Sequence, residues 1–250
     1  LGGFVAATFL RGIPFVQIPT SMAAMVDASI GGKVAVNVPQ AKNMIGSFYQ
    51  PKLVFADPET LLTMDKRGLS EGWAEAIKHG FIRDENLVKI FEDDADRLSN
   101  LDPELSTEVI RRSIAIKADV VSNDEKEKLG IRILLNYGHT VGHALEAQLG
   151  YGTLRHGEAV SYGMKCAGKI SCEMGFLSEE EFILLSSTIG KLPLPTLPKV
   201  DETSLMKFLR MDKKWENSQL HFVLLEQLGK AVISTAVTED LIKNSLEVFE

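Results

Sequence analysis

Cysteine is nearly missing from this chain of 250 residues. The two present, Cys166 and Cys172, lie six residues apart in a stretch with helical periodicity. They exclude a disulfide framework and read as buried thiols of a reducing compartment. Excess positive charge is missing as well. Against 34 Asp and Glu stand 27 Lys and Arg, a net charge of −7 without the clustered basic footprint of a nucleic-acid binder. Long apolar runs are absent: Arg11 interrupts the first and Asp27 the next, so nothing approaches the ~18–20 residues that span a bilayer. A cytoplasmic protein without nucleic-acid or membrane partners is expected. No initiating Met is present, and the chain opens inside apolar sequence at "LGGFVAATFL", as a piece of a longer protein would.

What is present is ordinary globular composition, 45% hydrophobic and 24% charged, without internal repeats. Up to about residue 63, short apolar runs alternate with Gly and Pro. Two of them, "FVQIP" and "LVFAD", are β-rich and read as buried strands of an α/β layer. From about residue 66 the period becomes helical. In "DPELSTEVIRRSIAIKADVVSND" Asp102 can cap, Pro103 takes the first helical position, and Ile110, Ile114 and Val121 mark the apolar stripe. Further helices are expected at roughly 136–149, 156–175, 178–190, 201–211 and 238–249, with "LPLPTLPK" as a rigid connector and a hairpin around Gly229. The expected architecture is an α/β part over residues 1–65 followed by a mostly α-helical domain over 66–250.

Of five histidines, three fall within residues 139–156. In "ILLNYGHTVGHALE" the four-residue spacing puts His139 and His143 on one helix face, and His156 opens the next apolar helix. Clustered imidazole with carboxylate suits a borderline cation such as zinc, whereas a single histidine on an apolar face is more often a satisfied core residue. Charges also sit where apolar residues belong. Lys117 lies on the apolar stripe of its helix, where it needs an anion, a polar ligand or a snorkelling route to water. Glu75 and Lys78 share one turn beside Trp73 and Ile77, as a site pair or an ordinary ion pair.

In "VDASIGGKVAVN", Gly31 and Gly32 separate Asp27 from Lys33, a turn that can present backbone N–H groups to an anion. A Walker A loop would need Gly at 27 and Ser or Thr at 34, where the chain has Asp27 and Val34. Lys42, Asn43, Arg132, Lys213 and Lys214 add donors suited to phosphate or carboxylate. Together these describe a cation site among cationic donors, suited to a small substrate carrying more than one anionic group.

The motifs "FVAATFLRGIPFVQIPTSMAAMVDASIGGK", "KNMIGSFYQP", "AEAIKHG", "NYGHTVGHALE", "HGEAVSYGM" and "DKK" resemble, in order and spacing, the 3-dehydroquinate synthase family of sugar-phosphate cyclases. The resemblance implies an incomplete NAD-binding α/β domain followed by a helical domain that carries one divalent metal ion, Zn2+ or Co2+. It implies Glu75, His139 and His156 as metal ligands, in place of the His139–His143 pair suggested by spacing. Lys33, Asn43, His143 and a lysine of the Lys213–Lys214 pair would meet the substrate phosphate. Arg132, Lys117, Asn136, Lys78 and Asp27 would hold its carboxylate and hydroxyls. Arg11 would reach the phosphate in a neighbouring subunit of a homodimer.

The implied reaction turns 3-deoxy-D-arabino-heptulosonate 7-phosphate into 3-dehydroquinate and phosphate, in the shikimate route to aromatic amino acids. It runs through alcohol oxidation by NAD, β-elimination of phosphate, reduction, ring opening and an intramolecular aldol closure, with the substrate's own phosphate as a candidate base. Cofactor-lining positions match Thr20, Ser21, Asp27, Lys33, Lys42 and Thr63. The family's Gly-rich nucleotide loop, which precedes "LGGF", is not in this sequence; Ser21 stands where Thr is common and Gly68 where an acidic residue is common. Poor NAD binding and little turnover are therefore expected of a molecule that begins at Leu1. Three other readings stay open: a cyclase acting on a sedoheptulose or glucose phosphate, a metal-dependent polyol dehydrogenase, and a non-catalytic dimerising fragment.

Overall fold

The computed structural model describes residues 1–38, 41–150, 152–211, 215–216 and 219–249. Its first part is thinly layered. Helix α1 (Gly2–Thr8) is followed by β1 (Val16–Gln17), a π-helical turn (Ala24–Ala28), the hairpin β2 (Lys33–Val38) and β3 (Ala41–Phe48), and β4 (Leu53–Val54). The apolar runs "FVQIP" and "LVFAD" do form strands, β1 and β4, paired in parallel with Val16 opposite Leu53. They are shorter and more exposed than expected, with Val16 and Leu53 each more than half exposed, while α1 packs on the β2–β3 hairpin. The hairpin itself is antiparallel, with Lys33 opposite Phe48 and a register shift between Val36 and Val38.

The helical part begins with α2 (Lys66–Arg83), whose first turn is capped by the Asp65 carboxylate accepting the Gly68 N–H at 2.7 Å. After α3 (Glu85–Asp93) and α4 (Ala95–Ser99) comes α5 (Pro103–Asn123), with Pro103 at its start and Asp102 accepting from the Leu105 N–H, as the sequence reading has it. Then follow α6 (His139–Leu149), α7 (His156–Glu173), α8 (Glu179–Gly190) and α9 (Glu202–Met211). The chain continues through β5 (Trp215–Glu216), β6 (Gln219–Leu220), the hairpin β7 (Phe222–Gln227) and β8 (Lys230–Ser234), and α10 (Glu239–Ser245). Helix α6 starts three residues later than expected. Residues Ile131–Asn136 form a 3-10 turn, and Gly138 at φ 77° separates it from the helix.

Helix α2 is the hub. It is buried along most of its length and packs against α3, α5 and α7, while α7 also meets α6, α8, α10 and β7. The core runs through Trp73, Phe81, Tyr137, Met164 and Phe222, and the Tyr137 hydroxyl donates to the Met164 carbonyl at 3.0 Å. Cys166 is buried in it, and its thiol is pushed up to about 12 by burial; Cys172 is only partly buried. No described helix is long and apolar enough to cross a membrane. Lys213 and Lys214 lie outside the described residues, as does the side chain of Lys42.

Candidate metal and substrate site

The packing of α2, α6 and α7 brings three parts of the sequence to one point. Gly157 makes the approach possible: a Cβ on it would lie 2.2 Å from the Glu71 carbonyl oxygen, so only glycine lets the first turn of α7 rest on α2. The same turn is fastened by Glu158. Its buried carboxylate accepts from Arg67 on α2 at 2.5 and 2.7 Å and from the Arg155 N–H at 2.7 Å. His156, the first residue of α7, thereby faces Glu75.

Glu75 Oε1 lies 3.7 Å from His139 Nε2 and 3.6 Å from His156 Nε2. The carboxylate is 2% exposed; its Oε2 pairs with the Lys78 ammonium, while Oε1 has no hydrogen-bond partner among the described residues. A buried carboxylate oxygen left without a donor is unfavourable unless something cationic completes it. Ligand atoms on a tetrahedral zinc, each about 2.0–2.1 Å from the metal, stand about 3.4 Å apart, close to the separations found here. His143 joins the group, since ligand atoms of His139, His143 and His156 all lie within 4.8 Å of one another. The spacing argument and the resemblance thus both find their residues here. Glu75, His139 and His156 surround the orphaned oxygen, and His143 stands on the exposed side.

The remaining nitrogens of two rings are occupied. His139 Nδ1 faces the Tyr137 carbonyl at 3.1 Å and His156 Nδ1 faces Glu146 Oε2 at 3.2 Å. Burial, with Lys78 next, holds His139 well below the ordinary imidazole value. Burial would lower His156 too, but the Glu146 hydrogen bond and the Glu75 charge outweigh it and raise the group.

In front of the histidines lies a cavity of about 440 Å³, lined by Asp27, Lys33, Asn43, Lys78, Lys117, Glu127, Arg132, Asn136, His139, His143 and His156 among others. Lys117 does not snorkel; it is buried and its ammonium donates to the Asp27 carboxylate and, at 2.5 Å, to the Asp27 carbonyl. Burial would raise Asp27, but Lys117 and then Lys78 outweigh it and hold the carboxyl below the usual range. Arg132 is also buried. It donates to the Gly31 carbonyl at 3.2 Å and the Glu125 carbonyl at 2.8 Å, while Nε has no hydrogen-bond partner among the described residues. Gly31, at φ 103°, is needed both for its backbone and because a Cβ there would lie 2.6 Å from Arg132 Nη2. The loop before Arg132 is organised by Asp124, which accepts N–H groups of Lys128, Leu129 and Arg132 at 2.8–3.3 Å.

Sequence reasoning missed Glu127, Glu146 and the Arg67–Glu158 clamp. Glu127 ion-pairs with Lys33 and stands 3.8 Å from Arg132 Nε. Glu146 had a visible signal, since it follows His139 by seven residues and so lies near it on one helix face. Some expected residues are not gathered here. Thr20, Ser21 and Thr63 are not among the lining residues, and Arg11 lies on the exposed turn after α1, at φ 66°. A second cavity of about 590 Å³ between α1, β1 and β2 shares Ala28, Lys33 and Asn43 with the first.

Comparison with known proteins agrees with this geometry. Residues 1–71 match the family model described as 3-dehydroquinate synthase N-terminal, and residues 72–215 the model described as 3-dehydroquinate synthase C-terminal. The 3-dehydroquinate synthase of Rippkaea orientalis is 49% identical over 97% of this chain and 67% of its own length, and that of Synechocystis sp. 49% identical over 98% and 68%. The chain therefore spans about two thirds of the curated relatives it matches. Among solved structures, 2-epi-5-epi-valiolone synthase from Streptomyces hygroscopicus, with NAD+ and Zn2+ bound, aligns with a TM-score of 0.89 at 28% identity over 99% of this chain and 69% of its own. A 2-deoxy-scyllo-inosose synthase complexed with carbaglucose-6-phosphate, NAD+ and Co2+ aligns with a TM-score of 0.85 at 31% identity over 97% and 69%. The buried carboxylate facing two imidazoles, the cation-lined cavity and both family models lead to one conclusion: the chain belongs to the 3-dehydroquinate synthase family.

Proposed function

We propose that the chain serves the conversion of 3-deoxy-D-arabino-heptulosonate 7-phosphate to 3-dehydroquinate and phosphate, with NAD and one divalent ion, Zn2+ or Co2+. The observation that carries this reading is that His139 and His156, at one wall of a cavity whose other walls supply Lys33, Lys117 and Arg132, converge on the buried Glu75 carboxylate behind them. Glu75, His139 and His156 hold the ion. When bound, the ion polarises the oxygen of the alcohol to be oxidised, and NAD+ supplies the reversible oxidation.

The chain's own residues do the rest. Arg132 and Lys117, desolvated and fixed, bind the substrate carboxylate with Asn136. Lys78 and Asp27 hold the ring hydroxyls. Lys33, Asn43 and His143, with a lysine of the Lys213–Lys214 pair, bind the phosphate and stabilise the charge that grows as it leaves. Because the substrate's phosphate can take the proton, no protein base is assigned. NAD binds residues 1–65, where the resemblance assigns it Thr20, Ser21, Asp27, Lys33, Lys42 and Thr63; of these Lys33 lines the second cavity, which abuts the first and suits a cofactor beside a substrate. Residues 66–250 form the metal and substrate domain. We further propose a cytoplasmic homodimer in which Arg11 reaches the phosphate of the neighbouring subunit.

Cyclases of other sugar phosphates share the fold, yet the structural relatives named above are 28–31% identical whereas the two dehydroquinate synthases are 49% identical. The buried Arg132 and Lys117 favour a carboxylated substrate. Two measurements test this. Heptulosonate phosphate binding, followed by calorimetry with Zn2+ present, is expected to fall at least tenfold in Arg132→Ala, and phosphate release is expected to stop on chelation. Equal binding by the Arg132→Ala variant, or chelator-resistant release, overturns the reading.

A further inference from the structure

We propose that Glu146 is a positioning residue for the metal site: it fixes the His156 ring so that Nε2, and not Nδ1, is presented to the ion. The proposal rests on the reading of Glu75, His139 and His156 as ligands and assigns a role to a carboxylate outside that set.

A neutral imidazole has one protonated and one bare nitrogen, and only the bare one can bind a cation. Which nitrogen is bare depends on what the other one meets. His156 Nδ1 faces Glu146 Oε2 at 3.2 Å, so in the neutral ring this geometry has Nδ1 donate to the carboxylate and leaves the lone pair on Nε2. That Nε2 is the atom standing 3.6 Å from Glu75 Oε1. His139 is arranged the same way by different means, its Nδ1 against the Tyr137 carbonyl and its Nε2 3.7 Å from the same Glu75 oxygen.

The two rings differ in how firmly they are held. Both histidines open a helix, but the His139 side chain is 11% exposed and the His156 side chain 39%, so a specific acceptor does for His156 what packing does for His139. Glu146 can do this because it is itself largely buried, its side chain 13% exposed on α6, seven residues after His139. One helix thus supplies a ligand, His139, and the acceptor that orients a ligand on α7.

The test is Co2+ titration of the metal-free full chain, read by the visible absorption of the bound ion, with 15N NMR of the histidine rings before metal is added. Native protein is expected to bind Co2+ and to show His156 protonated at Nδ1. Glu146→Ala is expected to weaken Co2+ binding about 10–100-fold and to mix the His156 tautomers, with the melting temperature of the metal-free chain unchanged. Glu146→Gln retains an acceptor without the charge and should lose less. Glu226→Gln, an exposed acid paired with Lys230, should change neither readout and so exclude a general charge effect. Co2+ affinity in both Glu146 variants within about twofold of native overturns the proposal. So does a neutral native His156, observed at a pH above its titration, that carries its proton on Nε2 rather than Nδ1, a result that needs no variant. Native chain that binds no Co2+ would instead remove the ligand reading itself.

Discussion

The two walls of the cavity in front of the histidines are built differently. On the helical side Glu75, Lys78 and Arg132 are each at most 2% exposed and are tied to backbone, to one another or to a capped loop. On the hairpin side the Lys33 side chain is 54% exposed, and Asn43 sits at φ 54° near the turn between β2 and β3. Charges that are already desolvated and oriented need no reorganisation when substrate arrives. On the proposed reading the comparison divides the work: the helical wall is preorganised for the metal ion and the carboxylate, and the hairpin wall adapts to the phosphate.

The largest expected effect lies on the helical wall. Glu75→Ala removes the oxygen that faces both imidazoles and leaves the Lys78 ammonium buried without its partner, a loss of about 3–5 kcal/mol by the general behaviour of broken buried pairs. Denaturant unfolding of the metal-free chain should show that loss, and Co2+ binding should vanish. Glu75→Gln should recover part of the stability and none of the metal binding. A Glu75→Ala variant as stable as native would mean that Lys78 has another route to solvation, and the wall would not be preorganised.

Next comes Gly157→Ala. Its new methyl group would meet the Glu71 carbonyl oxygen at 2.2 Å, so α7 must shift away from α2, at about 1–3 kcal/mol. Because His156 is the adjacent residue, Co2+ affinity should fall with stability. Loss of stability alone, with the same affinity, would uncouple the α2–α7 contact from the site.

A smaller effect concerns pH. Asp27 is held below the usual carboxylate range by Lys117 and Lys78, against burial, with His79 nearby. The sign follows from the direction of the shift. Its stabilising contribution is full above the unfolded value of about 3.9 and is lost as pH falls further, through the lower folded value. Asp27→Asn should therefore be less stable than native at neutral pH, and the gap should close below about pH 4. A gap that persists at low pH would assign the effect to packing.

How much of this was legible beforehand follows from range. Local signals were readable: the Asp102–Pro103 start of α5, the Gly229 hairpin, and the His139–His143 face of α6. The β2–β3 hairpin was not, because although Val34, Val36 and Val38 alternate with Lys33, Ala35 and Asn37, neither face of β2 is fully buried and β3 (AKNMIGSF) carries no matching alternation. The meeting of Glu75 with His156 was invisible to spacing, since it depends on Gly157 and on the Arg67–Glu158 clamp across 91 positions. Resemblance supplied that pairing where periodicity could not.

The smallest expected effect tests the hairpin wall. Glu127, at φ 53° in the loop before Arg132, pairs with the Lys33 ammonium, so in this structure a protein carboxylate occupies one of the cations assigned to phosphate. An exposed pair of this kind adds only about 0–1 kcal/mol to stability. Its larger consequence is competition, because an incoming phosphate must displace Glu127 before Lys33 can donate to it. Glu127→Gln should therefore leave the unfolding midpoint unchanged and tighten the binding of inorganic phosphate severalfold in calorimetry at low salt, where exposed charges are least screened. If phosphate binds the variant more weakly, Glu127 orients Lys33 rather than competing for it, and the hairpin wall is as preorganised as the helical one.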